Sequence, residues 1–244
     1  MQTLKLDQLR NILIRQEETI IFALIERAQF KQNPPVYLKG GILPDYSGAF
    51  CDYLLWETEK VHAKVRRYTS PDEHPFCLDL PEPILEKLSF PPIIQPTTIN
   101  VNAQIRKIYE DDMLPLICQT GDDGNYGSSA VCDVACLQAL SKRIHYGKYV
   151  AEAKYQAETE RYRTMIAARD SEGIEAALTN TVVEEKLLRR VEVKTATYGQ
   201  EIDAEETRRN FKIQPEVVSR IYRNWIIPLT KVVEVDYLLE RKDN

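Results

Sequence analysis

The chain has 244 residues, enough to bury the core of one domain or of two small ones. Its 32 basic and 37 acidic residues give a net charge of −5 at pH 7, which disfavours nucleic-acid binding because proteins that bind the phosphate backbone carry a basic surplus. The longest apolar run, Ile20 to Ile25, is far shorter than the roughly 20 residues of a membrane span, so we expect no membrane partner.

Apolar residues recur at helical spacing along most of the chain. The patterns cover residues 4–30, 49–69, 101–118, 129–157, 159–179, 182–199 and 213–240. Glycine is scarce, at 9 of 244 residues, whereas sheets built from hairpins need many glycine turns. The sequence therefore predicts an all-α fold, a single-domain helical bundle over residues 1–244.

Two segments interrupt the helical patterns. Seven of the thirteen prolines lie between Pro71 and Pro96, and proline in a helix interior removes a hydrogen bond and clashes with the preceding turn. We therefore predict an extended proline-rich connector over residues 71–98. The charge-rich stretch from Gln200 to Lys212 is predicted to be a loop between the last two helices.

Charged residues fall on helix faces that are otherwise apolar. At 100° per residue, Arg10 lies in the middle of an apolar stripe, with Glu17 on the same face, rather than on the solvated side. Arg143, Val150 and Lys154 lie along one line of a later helix. Two cations are therefore predicted to point into the bundle from one helix, and a third from another.

The last two helices add polar groups to this interior. Glu184 shares a face with leucines, with Asn180 one turn before it, and Thr230 and Glu234 are one turn apart. Burying an unpaired charge costs on the order of several kcal/mol. These groups must therefore meet each other or a ligand. The alternatives are internal salt bridges, or an anionic ligand with more than one carboxylate held inside the bundle. The surplus of donors favours the ligand.

A glycine-rich loop, Gly121 to Ser128, opens directly into a helix. A helix N-terminus offers free amides and a positive dipole end to an anion. The alternative is an ordinary capped turn with Ser128 or Ser129 as the N-cap.

The cysteines indicate neither a disulfide framework nor a metal centre. There are five, an odd number without dense spacing, which favours a reducing compartment. Cys132 and Cys136 are one turn apart with His145 further along, but no second pair completes a metal-ligand set. We predict buried free thiols and no metal.

Long segments of the chain resemble the eukaryotic all-helical chorismate mutases of plants and fungi. The segments occur in the family's order over essentially the whole chain: RNILIRQEETIIFALIERAQF, SPDEHPF, GDDGNYGSSAVCD, CLQALSKRIHYGKYVAEAKYQA, NTVVEEK and IIPLTKVVEVDYLLER. The resemblance implies the rearrangement of chorismate to prephenate in phenylalanine and tyrosine biosynthesis. This intramolecular pericyclic (Claisen) shift implies no cofactor. The alternative is a non-catalytic helical protein that senses an aromatic metabolite.

The resemblance also implies roles for the inward-facing residues. Arg10 and Arg143 would bind the two substrate carboxylates, and Lys154 would donate to the ether oxygen of the breaking bond. Glu234, protonated, would donate to the same oxygen, and Glu184 would hold the ring hydroxyl. Further substrate contacts are implied for three residues, namely Asn180, Thr230 and Val150.

A second, regulatory site is implied as well. Regulated members bind an aromatic amino acid at a dimer interface, through an arginine pair and the glycine-rich loop. Arg66 and Arg67 match the pair, and Asn125, Gly127 and Ser128 match the loop, placed within residues 119–128. We therefore expect a homodimer whose effector is tyrosine, phenylalanine or tryptophan. The expected location is the cytoplasm, or a plastid if an upstream transit segment was removed.

Overall fold

A computed structural model describes residues 4–86, 88–201 and 210–242 of the chain. The α-helices in these residues are α1 (Leu6–Arg27), α2 (Phe50–Lys64), α3 (Asn102–Ile108), α4 (Leu114–Ile117), α5 (Tyr126–His145), α6 (Gly147–Ala157), α7 (Thr159–Ala167), α8 (Ser171–Leu178), α9 (Thr181–Tyr198), α10 (Pro215–Ile221) and α11 (Ile227–Glu240). Short 3-10 turns lie at Pro34–Tyr37 and Arg67–Thr69. The predicted all-α fold is confirmed.

The predicted loop from Gln200 to Lys212 contains a small strand pair. Strand β1 (Gln200–Glu201) pairs antiparallel with β2 (Asn210–Phe211), with Gln200 opposite Phe211. The residues between the two strands lie outside the described part of the chain.

Several predicted helices are divided where the sequence has one continuous pattern. The pattern over 129–157 forms α5 and α6, which are separated at Tyr146. Two others contain a π-helical turn, Tyr109–Met113 before α4 and Tyr222–Ile226 before α11. Pro115 and Pro228 follow these turns. Because a proline ring clashes with the carbonyl four residues earlier, the wider turn accommodates it.

The core is one large apolar cluster with two smaller ones beside it. Helix α1 packs along α5, α11 packs on α6, and α9 packs on α10. Ile21, Leu24, Leu137 and Leu140 are fully buried between α1 and α5. Each such side chain contributes about 1.5–3 kcal/mol on burial, so the helix faces that the sequence marks as apolar hold the bundle together.

Helices α6 and α11 lie close together at Gly147. A Cβ atom there would lie 3.0 Å from the carbonyl oxygen of Thr230 and 3.1 Å from the Cγ of Glu234. A glycine therefore allows the two helices to bring their polar residues together.

The segment 71–98 crosses the bundle without forming a helix in its described residues. Its first part is held by Glu59 of α2, which is fully buried. The Glu59 carboxylate accepts hydrogen bonds from the backbone amides of Phe76 and Cys77 at 2.8–3.0 Å. A buried carboxylate thus fixes an otherwise irregular chain.

Candidate active site

A cavity of about 340 Å³ opens between α1, α5, α6, α8, α9 and α11. The structure places all eight predicted substrate-site residues around it: Arg10, Arg143, Val150, Lys154, Asn180, Glu184, Thr230 and Glu234. Residues far apart in the sequence therefore meet at one place. Their individual roles remain predictions.

Arg143 is the most deeply buried cation of the cavity. It is 4% exposed, and its Nη1 donates to the Oγ1 of Thr230 at 3.5 Å. Its Nε is buried without a hydrogen-bond partner, and no described carboxylate lies within ion-pair distance. Because an unpaired buried charge is costly, this guanidinium has the capacity to bind an anion.

Lys154 lies on α6, the helix that follows α5 in the cavity wall. Its Nζ donates to the backbone carbonyl of Leu178, where α8 ends. A carbonyl at a helix C-terminus carries partial negative charge, which favours the ammonium. The contact leaves Lys154 fixed but, within the described ranges, without an acidic partner.

Glu234 faces these two cations from α11. It is 7% exposed, and burial raises the pKa of its carboxyl group to about 7 because the charged form is disfavoured away from water. Lys154, Arg143 and Lys231 oppose this rise in the pKa, and Glu184 reinforces it. A substantial fraction of Glu234 therefore carries a proton at neutral pH and can donate a hydrogen bond.

Glu184 forms an ion pair in the cavity wall with Lys231, at 2.9 Å between Oε1 and Nζ. The sequence pattern does not single out Lys231, although its spacing of three from Glu234 places both side chains on neighbouring positions of one helix. Glu158 and Tyr162 also line the cavity and were not predicted.

Asn180 and Thr230 have local structural bonds as well. The Asn180 Oδ1 accepts a hydrogen bond from the amide of Val183 at 3.1 Å and so caps α9. The Thr230 hydroxyl donates to the carbonyl of Ile226 at 2.6 Å. Both contacts fix the side chains at the cavity wall.

The prediction that Arg10 avoids the solvated side of α1 is wrong. Arg10 lines the cavity, but its side chain is 56% exposed and pairs with the exposed Asp7 at 2.8 Å. The first turns of α1 are covered by the bundle on one side only, where Leu9 and Leu13 lie. Arg10 therefore stands at the rim of the cavity rather than inside it.

The alternative of internal salt bridges holds for Glu17 and for Glu184 but not for Arg143. Glu17 is fully buried, and its carboxylate lies 2.6 Å from Arg190 and 3.4 Å from Lys194 on α9. It therefore contributes no free charge to the cavity. The cations Arg143 and Lys154 have no such described partner.

The residues of the predicted effector site do not meet within one chain. Arg67 binds Glu73 at 3.0 Å and Gln138 at 2.8 Å, and Arg66 donates to the carbonyl of Glu86 at 2.7 Å. Gln138 lies ten residues beyond Ser128 on α5, which is about 15 Å along the helix axis. A single copy therefore separates the arginine pair from the loop.

The loop itself differs from the predicted capped turn. Helix α5 begins at Tyr126, so Gly127 and Ser128 lie in its first turn, and neither Ser128 nor Ser129 is the N-cap. Asn125 occupies the N-cap position without a side-chain capping bond.

Asp123 organises this loop instead. Its carboxylate accepts from the backbone amides of Lys31 at 2.8 Å and Asn125 at 2.9 Å, and from the Asn33 amide side chain at 2.9 Å. These bonds hold the pKa of Asp123 well below its usual range.

A larger cavity, of about 570 Å³, lies between α2 and α3. Its one cationic side chain among the described residues, Arg106, is already paired with Asp52 at 2.6 Å and Glu110 at 2.7 Å. It offers an anion no unpaired cation, so the smaller cavity is the candidate active site.

The described residues contain no cluster of three or more histidine, cysteine or acidic side chains placed to hold a metal ion. All five cysteines are free thiols. Of the pair predicted to be buried, Cys136 is buried but Cys132 is only half-buried, because it lies nearer the edge of the packed face of α5. Of the helices in the described ranges, none combines the length and the apolar character needed to cross a bilayer.

Together, the fold and the cavity define an all-helical protein whose buried cations face a protonatable carboxyl group. Residues 125–235 match the family model of chorismate mutase type II. Chorismate mutase 1, chloroplastic, of Petunia hybrida is 50% identical, over 98% of this chain and 76% of that protein.

Solved structures show the same likeness. The Candida albicans chorismate mutase Aro7p, in complex with L-Trp, has a TM-score of 0.92 at 44% identity and covers 98% of this chain and 93% of its own. The chorismate mutase AtCM1, with phenylalanine in its allosteric site, has a TM-score of 0.91 at 48% identity. The match covers 98% of this chain and 97% of the AtCM1 chain. AtCM1 has also been solved with tyrosine bound there. The chain therefore belongs to the chorismate mutase family, and it is an isomerase of the eukaryotic all-helical type.

Proposed function

We propose that this chain rearranges chorismate to prephenate in the cavity between α1, α5, α6, α8, α9 and α11. One observation carries the proposal: Arg143 is buried with no described carboxylate partner, in the same cavity as Lys154 and a protonatable Glu234. Chorismate brings two carboxylates and an ether oxygen, which are the acceptors that these donors lack.

The arginines would fix the shape of the substrate. Arg143 at the base of the cavity and Arg10 at its rim each offer a planar donor fork that orients a carboxylate. Holding both carboxylates brings the two carbon atoms that must join into a near-attack geometry, which removes much of the entropic part of the barrier. Val150 supplies an apolar wall that excludes water.

Lys154 and Glu234 would act on the breaking bond. The ether C–O bond breaks as the new C–C bond forms, and all electrons come from within the substrate. Negative charge grows on the ether oxygen, where the ammonium of Lys154 and the carboxyl proton of Glu234 can both donate. An ionised Glu234 would instead repel that charge.

Glu184 would accept a hydrogen bond from the ring hydroxyl, and Asn180 and Thr230 would contact further substrate oxygens. Thr230 is already held by Arg143 and by the carbonyl of Ile226, so its hydroxyl is oriented before the substrate arrives. Preorganised donors cost no reorganisation at the moment of reaction.

Substituting the two buried cations tests this proposal. Arg143→Ala and Lys154→Ala should each lower kcat/KM by roughly 10²–10³-fold or more, measured as loss of chorismate absorbance. Lys107→Ala, a matched control at a 78% exposed lysine on α3, should leave turnover unchanged. Circular dichroism should show the same helix content in all three variants. Near-normal turnover in a folded Arg143→Ala or Lys154→Ala variant would contradict the assignment.

We further propose that two copies form a homodimer that binds an aromatic amino acid. The similar structures with Trp, Phe or Tyr support the ligand class. Apolar side chains exposed on α2, directly after its end and on the connector support a second copy as the partner, namely Val61, Val65, Leu78 and Ile84. In such a dimer the Arg66–Arg67 pair of one protomer could meet the Asn125–Ser128 turn of its partner.

Light scattering and effector titration separate these two statements. The purified chain should have the mass of a dimer, and tyrosine, phenylalanine or tryptophan should change its rate. Arg67→Ala should abolish that response while basal turnover persists. A monomer, or a rate unaffected by all three amino acids, would refute the corresponding statement.

We propose the cytoplasm as the location and a single domain as the organisation. Five free thiols are typical of a reducing compartment. The name of the Petunia relative, which is chloroplastic, keeps the plastid as the alternative. Fractionation of the source cells, probed with an antibody to the chain, distinguishes the two.

A further inference from the structure

Lys231 and Glu184 close one wall of the candidate active site. Lys231 lies on α11 between Thr230 and Glu234, and its Nζ approaches Oε1 of Glu184 on α9 at 2.9 Å. The Lys231 side chain is 20% exposed and that of Glu184 28% exposed, so the pair is largely covered. Both residues line the cavity.

The ion pair leaves half of the Glu184 carboxylate available. A carboxylate has two oxygens that can each accept hydrogen bonds, and Lys231 occupies Oε1. No hydrogen bond from another residue in the described ranges reaches Oε2. The lysine thus anchors one oxygen of the carboxylate while the other remains for a ligand.

We propose that Lys231 is a positioning residue, which holds the Glu184 carboxylate in the orientation that accepts the ring hydroxyl of the substrate. The inference rests on the proposed function, because Glu184 needs a hydroxyl-bearing substrate to act on. Lys231 itself contacts the carboxylate and acts on the substrate through it.

The kinetic consequence of such positioning is specific. The ring hydroxyl takes no part in the bonds that break and form, so its hydrogen bond is present in both the bound substrate and the transition state. Losing an interaction of this kind raises KM and leaves kcat nearly unchanged. A substitution that merely loosened the packing of α11 would displace Glu234 and lower kcat as well.

Lys231 also contributes charge near Glu234. The groups that face the Glu234 carboxyl are Arg143 on α5, Lys154 on α6, Tyr162 on α7, Glu184 on α9 and Lys231 on its own helix. Removing Lys231 deletes one of the three cations that favour the charged carboxylate. The alkaline limb of the rate profile should therefore move to higher pH.

A double-mutant cycle tests the proposal, using Lys231→Met, Glu184→Gln and the double variant in the full chain. Rates are measured at pH 6, below the pKa of about 7 that burial gives Glu234 in the parent chain. We expect Lys231→Met to raise KM for chorismate about tenfold with kcat within about twofold. In the Glu184→Gln background the same change should alter KM by less than about twofold, because the carboxylate to be positioned is gone.

Two further measurements sharpen the test. An analogue of chorismate without the ring hydroxyl should have the same KM with the parent chain and with Lys231→Met. Lys231→Arg keeps a cation beside Glu184. Its KM for chorismate should therefore be close to that of the parent chain. A lower kcat in Lys231→Met, or failure of Lys231→Arg to recover the KM, would indicate a structural role and overturn the proposal.

Additivity in the cycle would overturn it differently, since it would mean that Lys231 acts independently of Glu184. An unchanged KM in Lys231→Met would overturn it outright. Failure of the proposed function gives another result: the parent chain itself would not consume chorismate. The two failures are therefore distinguishable.

Discussion

The proton on Glu234 provides the sharpest test of the candidate active site. Replacing Glu234 with Gln keeps a hydrogen-bond donor of nearly the same shape but removes the titrating proton. In the parent chain the carboxyl group must be protonated to donate, and burial raises its pKa to about 7. The rate of the parent chain should therefore fall above neutral pH, and that of Glu234→Gln should not.

The size of the effect follows from the pKa. If only the protonated form is active, roughly 9% of the enzyme remains active at pH 8 and roughly 1% at pH 9. The free enzyme sets the profile of kcat/KM, and the substrate complex sets that of kcat. A bound dianion disfavours a second negative charge beside it, so the limb of kcat should lie at higher pH than that of kcat/KM.

The assay is the loss of chorismate absorbance between pH 6 and pH 9, with both kinetic constants determined at each pH. Burial lowers the pKa of Lys148 to about 8, so this residue could in principle cause a limb in the same range. Lys148→Met serves as the control, and it should retain the alkaline limb of the parent chain. An alkaline limb that persists unchanged in Glu234→Gln would refute the role given to this carboxyl group.

Two further outcomes test the packing around the site and a buried histidine. Gly147→Ala should lower both kcat and the free energy of unfolding, the latter by about 1–3 kcal/mol as measured in urea, because its Cβ would press on Thr230 and Glu234; an alanine variant with parental stability and rate would contradict the close approach of α6 and α11. Burial lowers the pKa of the fully buried His145 to about 4, so below about pH 6.5 the unfolded chain takes up a proton that the folded chain excludes. The stability contributed by neutral His145 is complete above that pH and is lost as the pH falls towards 4, by about 2 kcal/mol between pH 7 and pH 5. His145→Gln should lose that much less over the same interval in urea unfolding, whatever its stability at pH 7, and an identical pH dependence would exclude His145 as the cause.

The spacing of residues is sufficient to predict the helical fold and much of the cavity. A period of 3.6 residues fixes which side chains share a helix face, so the sequence alone aligns Arg143, Val150 and Lys154, which the structure places around one cavity. Thr230 and Glu234, spaced one turn apart on another helix, line the same cavity. Periodicity places Arg10 too deep, because it does not show where a neighbouring helix stops covering a face.

The pairing of charges between helices is beyond the reach of periodicity. Glu17 and Arg10 lie on similar faces of α1, yet Glu17 is bound by Arg190 and Lys194 and Arg10 by Asp7. Which partner a side chain meets depends on the relative register of separate helices. That register is set by packing over the whole core.

By itself, then, the amino-acid sequence determined an all-helical chain with donor groups on the inner faces of several helices, because backbone geometry is local. Tertiary structure alone decided that Arg143 lacks a described carboxylate partner, that Lys231 pairs with Glu184, and that burial raises the pKa of Glu234 to about 7. These properties depend on distance and solvent exclusion between residues that are far apart in the sequence, such as Arg143 and Glu234. They exist only once the helices have packed.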